Sequence, residues 1–366
     1  MGLNFSMRYR LLFIIVFLVK TGFAPPYLQA QDKTPKYSNE FLNLGVGGRA
    51  MAMANAQVAI SEDVTSGYWN PAGLLRIKNK YEGALMHASY FAGIANYDYI
   101  GFATPIDSLS HLGATIIRFA VDDIPDTRYL YDANGAINYD NIRFFTAADY
   151  AFVLSYARRI PTLKNLQLGG NIKVIHRKVG EFASAWGFGV DLGAQLKLNQ
   201  WYFGVTFRDV FGTFNAWSHN SELVEDVYLQ TGNIIPQNSV EITLPRLILG
   251  ISYQFSVGSK LGILPAVDLD LTFDGKRNVA ISADPVSIDP KIGLEFDYQK
   301  TAFLRIGINN FQKIKDFDES TYISYQPTFG LGIKFKIFTV DYAFLDIGDQ
   351  SESLYSHIFS LKISFD

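Results

Sequence analysis

The 366-residue chain has no cysteine, only 18% Asp, Glu, Lys and Arg, and few long apolar runs. The missing cysteine excludes disulfides and thiolate chemistry together. Soluble domains average about 25% charged residues, so a soluble enzyme fits this composition poorly. The longest uninterrupted apolar stretch is Leu11 to Val19, whereas a membrane helix needs ~20 such residues. A bundle of helices in the bilayer is therefore excluded. What the chain does hold is 29 Phe, 21 Tyr and 4 Trp at a mean hydropathy of +0.08. A transmembrane β-barrel combines these properties, because its strands alternate lipid-facing and lumen-facing residues and average to near-neutral hydropathy.

Processing comes before fold. Arg8, Tyr9 and Arg10, the apolar run and Leu28-Gln29-Ala30 form a basic region, an apolar core and a small-residue cleavage point, the pattern of a secretory signal peptide. We read residues 1–30 as that signal. It carries Arg8, Arg10 and Lys20 and no acid, so the mature chain is more acidic than the whole, whose net charge is −3. Nucleic-acid partners favour basic surfaces and are not expected.

From Lys80 onward, segments of alternating polarity are separated by turns, which is the strand period. Trp186, Phe188, Val190, Leu192, Ala194, Leu196 and Leu198 share one face, and Gly187, Gly189, Asp191, Gly193, Gln195 and Lys197 the other. Fourteen such segments start near Tyr81, Ile94, His111, Asp149, Leu166, Trp186, Trp201, Arg246, Ile263, Lys291, Ala302, Pro327, Phe338 and Ser356. An even number suits a bacterial barrel. Asn278 to Ser282 also alternates and is assigned to a loop on that ground. Tight connections at Pro105–Ser110, Asn199–Gln200, Gln299–Thr301 and Ile337 alternate with long ones at Asp122–Thr146, Phe211–Glu241, Asp274–Asp289, Phe311–Gln326 and Asp346–Tyr355. Short periplasmic turns and long external loops follow this asymmetry, and both termini are then periplasmic.

The register places Trp201, Phe255, Tyr298, Phe335, Phe338 and Phe365 toward lipid at the short-turn end, as an aromatic girdle requires. A soluble β-sandwich would also alternate, but its exposed face should be polar. The fold class is thus all-β, a fourteen-stranded antiparallel transmembrane barrel over residues 80–366. Residues 31–79 do not alternate and are rich in Gly and Ala. A barrel of this size leaves a lumen its own side chains cannot fill, so we read this segment as a plug, with a periplasmic arm as the alternative. Pro71 and the residue before it have restricted backbones, and Asn70 can bond the turn's own backbone.

Gly48-Arg49-Ala50 and Tyr68-Trp69-Asn70-Pro71-Ala72-Gly73 resemble the N-terminal hatch of the FadL-like outer-membrane barrels. The fuller pattern Phe41 to Ala50 resembles the PorV/PorQ branch. Asp268 to Gly275 and Gly293-Leu294-Glu295-Phe296 agree with it. The resemblance implies a hatch inside the barrel and one of two functions. A PorV/PorQ-like component of type IX secretion binds cargo C-terminal domains or a SprA-like translocon subunit through its external loops. A FadL-like transporter passes hydrophobic small molecules or fatty acids as the hatch moves and a lateral opening releases them to the membrane.

Asp268, Asp270, Glu295, Asp297 and Asp341 share the lumen parity with Arg246, Arg305, Lys334 and Lys336. A lipid-facing Lys or Arg at the midplane costs roughly 2–4 kcal/mol, so the charges are expected to divide between lumen and loops, with almost none facing lipid. A network bracing wall and plug is one reading of the inward set, a polar permeation path the other, and Arg49 is a candidate partner. No His-x-x-x-His pair and no Gly-x-Ser-x-Gly elbow is present, so neither enzymatic activity nor a cofactor is expected. Asp122, Asp123 and Asp126, and the stretch from Asp132 to Asp140, lack EF-hand spacing, and no metal is expected. Tyr129, Tyr131 and Phe144 in one long loop, with Phe214, Trp217 and Tyr228 in another, form candidate partner surfaces, since interfaces favour such residues. Loops packing on one another would use the same side chains.

Overall fold

The structure is a computed structural model that describes residues 37–163, 165–316, 319–347 and 355–366. The signal peptide expected at 1–30 and the start of the plug span lie outside the described residues. The strands are β1 (Tyr81–Tyr90), β2 (Ala95–Pro105), β3 (Ser110–Asp126), β4 (Arg143–Arg159), β5 (Leu166–Val179), β6 (Ala183–Leu198), β7 (Trp201–Arg208), β8 (Thr213–His219), β9 (Ser239–Thr243), β10 (Arg246–Tyr253), β11 (Phe255–Val257), β12 (Leu261–Thr272), β13 (Ser287–Tyr298), β14 (Ala302–Lys315), β15 (Thr321–Phe335), β16 (Phe338–Leu345) and β17 (Ser356–Phe365).

Neighbouring strands pair antiparallel, and β1 pairs with both β2 and β17, which closes the sheet. β7 and β8 occupy one wall position, since both pair with β6. β9, β10 and β11 share another, opposite β8, β7 and β12. The result is a closed antiparallel barrel of 14 strands. The break between β7 and β8 has a local cause: Asp209 and Gly212 both take positive φ, 53° and 77°. Gln299 and Lys300 are also both positive, which gives the tight β13–β14 hairpin the twist that suits a two-residue turn. No described helix is long and apolar enough to cross a membrane.

Strand starts at the short-turn end fall within two residues of the sequence expectation. Several at the long-loop end come earlier: β4 begins at Arg143 rather than Asp149, and β15 at Thr321 rather than Pro327. The connection expected from Phe311 to Gln326 is therefore mostly strand. Apolar alternation stops where lipid stops, whereas backbone pairing continues into water because the hairpin satisfies its own N–H and C=O groups. Asn278 to Ser282 forms no strand; Ile281 makes a single bridge to Ile288.

The core lies inside the barrel. Val46, Ala52, Met53, Ala56, Ala72 and Leu74 of the N-terminal segment are fully buried, as are Tyr97, Ile117, Ala151, Ile175 and Ile358 of the wall. The six girdle aromatics Trp201, Phe255, Tyr298, Phe335, Phe338 and Phe365 are all exposed on the outer face.

Candidate functional site

Residues 38–77 run through the lumen as short turns rather than long helices: a 3-10 turn (Glu40–Asn43), α1 (Gly48–Ala52), α2 (Ser66–Trp69) and a second 3-10 turn (Pro71–Arg76). The wall admits this backbone through inward-facing glycines. A Cβ on Gly204 would lie 2.2 Å from the Val58 carbonyl oxygen, one on Gly293 2.5 Å from that of Met53, and one on Gly307 2.6 Å from the Ala54 nitrogen. Similar contacts join Gly169 to Pro71 and Gly330 to Ala52. The sequence pattern set only Gly187, Gly189 and Gly193 on the non-lipid parity and gave none of these five glycines a role. Their function is close approach, which only the closed barrel reveals.

Polar side chains of the wall then bond the plug's free backbone groups, which a buried irregular segment needs. Asp268 Oδ2 accepts the Gln57 and Val58 N–H groups at 2.8 and 2.9 Å. Glu82 accepts the Val64 N–H at 2.7 Å. Gln195 donates to the Val58 and Ser61 carbonyls, Asn171 to Gly67, Thr206 to Trp69 and Thr328 to Ala52. Arg208 lies 4.7 Å over the Tyr68 ring and donates to the Leu42 and Tyr68 carbonyls.

A chain of ion pairs binds plug to wall. Arg49 makes two hydrogen bonds to Glu295, at 2.9 and 3.1 Å, and Arg305 bridges Glu295 to Asp341 at 2.6 and 2.7 Å. Asp270 takes Arg246 and Lys291 at 2.9 and 3.1 Å. Asp63 of the plug meets Lys362 of β17 at 2.8 Å. Burial works against the Asp63 charge, yet the Lys362 ammonium, the Thr65 hydroxyl and Arg49 together outweigh it and hold the carboxyl down at about 2. Opposed charges placed this way brace the wall against the plug.

The sequence motifs fall into place unevenly. Asn70 is fully buried: its Oδ1 accepts the Ala72 N–H, and its Nδ2 donates to Val58 and to Ala194 of the wall. Pro71 opens the second 3-10 turn. A Cβ on Gly73 would come 2.3 Å from the Ser61 carbonyl. The Gly48 N–H donates to Ser360 at 2.9 Å, and Ala50 is buried beside it. Asp297 and Lys334 stand apart from the network, at the short-turn end: Asp297 accepts the Lys300 N–H and Lys334 is exposed. Phe144, Phe214 and Trp217 are on strands β4 and β8, not in loops, again because hairpins outrun the lipid. Trp217 donates to Glu241 and lies under Arg177. Tyr129 stacks beneath Arg143, Tyr131 is exposed, and Tyr228 is on α3 (Glu225–Thr231).

A further correction concerns charge. His87, Asp98 and Arg118 sit on the outward face of β1, β2 and β3 in one cross-strand row. Near-complete exclusion of charge from the outer wall does not hold in this sector.

Two small gaps between plug and wall are described. The described cavities between plug and wall measure about 30 Å³, lined by Tyr68, Lys173 and Arg208 among others, and about 20 Å³, lined by Arg49, Asp63 and Lys362 among others. A water takes roughly 10–15 Å³ by this measure, so neither admits an organic molecule. A larger cavity of about 450 Å³ opens among the connections at the long-loop end, where Pro125, Phe145, Phe182, Tyr228 and Pro236 give an apolar lining. Arg128 borders it, held by three side-chain bonds to Asp126 and stacked 4.5 Å from the Phe182 ring centroid. His219 Nδ1 there is buried without a hydrogen-bond partner. Among the described residues no group of three or more His, Asp or Glu converges as a metal site.

No sequence family and no curated protein matches the chain. Solved structures do. The toluene transporter TodX of Pseudomonas putida is 14% identical and aligns over 88% of this chain and 98% of its own, at a TM-score of 0.56. The fold is FadL-like. The toluene transporter TbuX of Ralstonia pickettii, at 13% identity, 88% and 99% coverage and a TM-score of 0.53, shares this fold. So does the CymD monoaromatic hydrocarbon channel, at 14% identity, 88% and 98% coverage and 0.55. The FadL-like barrel here has an unbroken wall across β1–β3: pairing runs from Asn96–Ala120 through Pro105–His111 without a shift. The likeness reaches the architecture and does not distinguish a PorV/PorQ branch.

Proposed function

We propose that this FadL-like barrel lies in the outer membrane and passes small hydrophobic molecules, with residues 38–77 as its movable closure. The aromatic cavity at the long-loop end carries the reading. Its ~450 Å³ and largely apolar lining fall in the range of small-molecule sites. The solved structures that share the fold include toluene transporters and a monoaromatic hydrocarbon channel, which supports the same substrate class. Long loops face outward and the termini face the periplasm. A ligand is captured among Phe145, Phe182 and Tyr228, and passage requires the plug to shift, since the two described gaps between plug and wall are water-sized. No covalent step is involved, and no cofactor.

Labelled toluene uptake, in an outer-membrane-sealed host carrying the wild type or Phe182→Ala, tests this. The wild type is expected to raise uptake and Phe182→Ala to cut that gain several-fold with an unchanged heat-modifiable gel shift. Uptake equal to the empty host would overturn it.

A second reading, a PorV/PorQ-like component of type IX secretion, draws on the filled lumen and on exposed Tyr131 and Tyr139 in the β3–β4 connection. A gene deletion that abolishes export of type IX cargo while toluene uptake is unchanged would favour it over the first.

A further inference from the structure

On most of the wall the outward residues are apolar along the whole crossing. In β15 they run Phe335, Ile333, Leu331, Phe329, Pro327, Tyr325 and Ile323, and in β12 from Leu261 to Leu271 every second residue is apolar. In β1, β2 and β3 the apolar run ends early, at Leu85, Ile100 and Ile116. The next outward residues are His87, Asp98 and Arg118, directly opposite one another in register. His87 stands six residues along β1 from Tyr81, or about 15 Å above it at ~3.3 Å per residue and a tilt near 40°. That height lies inside an apolar band of roughly 25 Å. Three ionisable groups thus face outward at a depth where neighbouring strands present hydrocarbon-compatible side chains, and Asp122 follows Arg118 on the same face of β3.

We propose that this sector binds a zwitterionic phospholipid, one headgroup seated on the His87–Asp98–Arg118–Asp122 row and an acyl chain in the groove beneath. The groove measures about 490 Å³ and is floored mainly by Leu85, Ile100, Ile116, Val340, Phe359 and Leu361. The row alternates base and acid: His87 to Asp98 at 2.7 Å, Asp98 to Arg118 at 3.5 Å, Arg118 to Asp122 at 3.5 Å. Alternation suits a headgroup carrying both a phosphate and an ammonium. The phosphate sits on Arg118, whose five N–H donors exceed what Asp98, Asp122 and the Tyr150 hydroxyl take up, and the ammonium sits between Asp98 and Asp122. A purely anionic headgroup would meet both carboxylates. A second copy related by a two-fold axis along the membrane normal would set Asp98 against Asp98 at the centre of the contact, with like charges opposed. A leaflet of ordinary lipids would have to step down by ~10 Å over three strands, at a cost for each ångström of mismatch, whereas one lipid held in a groove lowers a single headgroup.

Native mass spectrometry of the detergent-extracted full chain, titrated with palmitoyl-oleoyl phosphatidylethanolamine, tests the site. One lipid per barrel is expected. Phosphatidylglycerol and diacylglycerol with the same chains should bind at least tenfold more weakly, and Arg118→Gln and Asp98→Asn should each lower phosphatidylethanolamine binding about tenfold, with Arg118→Lys restoring most of it. Equal retention of the three lipids, indifference to both substitutions, or a dimer formed through this face would overturn the proposal. If the variants fail to assemble, a photo-crosslinkable phosphatidylethanolamine on the wild type decides the matter. Adducts concentrated on the segments holding Leu85, Ile100 and Ile116 support the site, and adducts spread evenly around the wall refute it.

Discussion

Glu295 serves two cations at once, Arg49 of the plug and Arg305 of the wall, and Arg305 is itself buried against Asp341. Removing one member of a buried ionic set costs about 3–5 kcal/mol, because the partner charges stay buried and uncompensated. Glu295→Ala is therefore expected to destabilise the barrel by that order, read as a lower midpoint of the heat-modifiable gel shift. The Asp63–Lys362 pair predicts a pH limb. The Asp63 carboxyl is held at about 2 against an ordinary 3.8. A depressed folded value contributes stability above the unfolded one and loses it as pH falls through the folded one. Protease protection of the plug should thus weaken between about pH 3.8 and 2 in the wild type. Asp63→Asn should lower protection at neutral pH and flatten that limb; an identical limb in the variant would show that another carboxylate controls it.

At the scale of elements, a plug without long helices sits in place because the strands around it lack Cβ atoms where its backbone passes. Gly204 on β7 and Gly293 on β13 touch Val58 and Met53, residues only five apart in the chain. Overpacking a close-packed site forces side chains or backbone to shift, typically at about 1–3 kcal/mol. Gly204→Val, with its branched Cβ aimed at the Val58 carbonyl, is expected to leave the barrel folded and loosen the plug. Faster hydrogen exchange across residues 53–61 would register this, with exchange in β12 and β13 unchanged. The same substitution at Gly258, whose Cβ would meet nothing within 4 Å, is a control for the plug contact, though its φ of +63° adds local turn strain.

The whole molecule is a barrel around a filled lumen, so its permeability is a property of the plug. Deleting residues 38–77 would leave Asp268, Gln195, Asn171 and Arg208 facing water around a wide opening. Planar-bilayer recordings are expected to change from a closed baseline to steady ion conduction; a closed deletion variant would mean that the long hairpins seal the barrel by themselves. Strand number and parity were legible in the sequence because a two-residue period is local: Trp186 to Leu198 declares its lipid face without reference to any other strand. The girdle was legible for the same reason. The plug was marked by missing alternation, and Asn70-Pro71 by its turn chemistry. What was not legible depends on closure. Arg49 and Glu295 are 246 residues apart, and the glycines that admit the plug acquire meaning only when strands from all sides face a common centre. Hairpin lengths beyond the lipid were hidden because pairing in water needs no apolar parity, and the outward charge row of β1–β3 emerged only when three strands were set in register. The sequence by itself determined a fourteen-stranded wall with a non-strand segment before it, since alternation and composition are local quantities. The tertiary structure alone decided what that segment touches, which charges pair and how little room is left, because those are set by contacts across the lumen between residues remote in the chain.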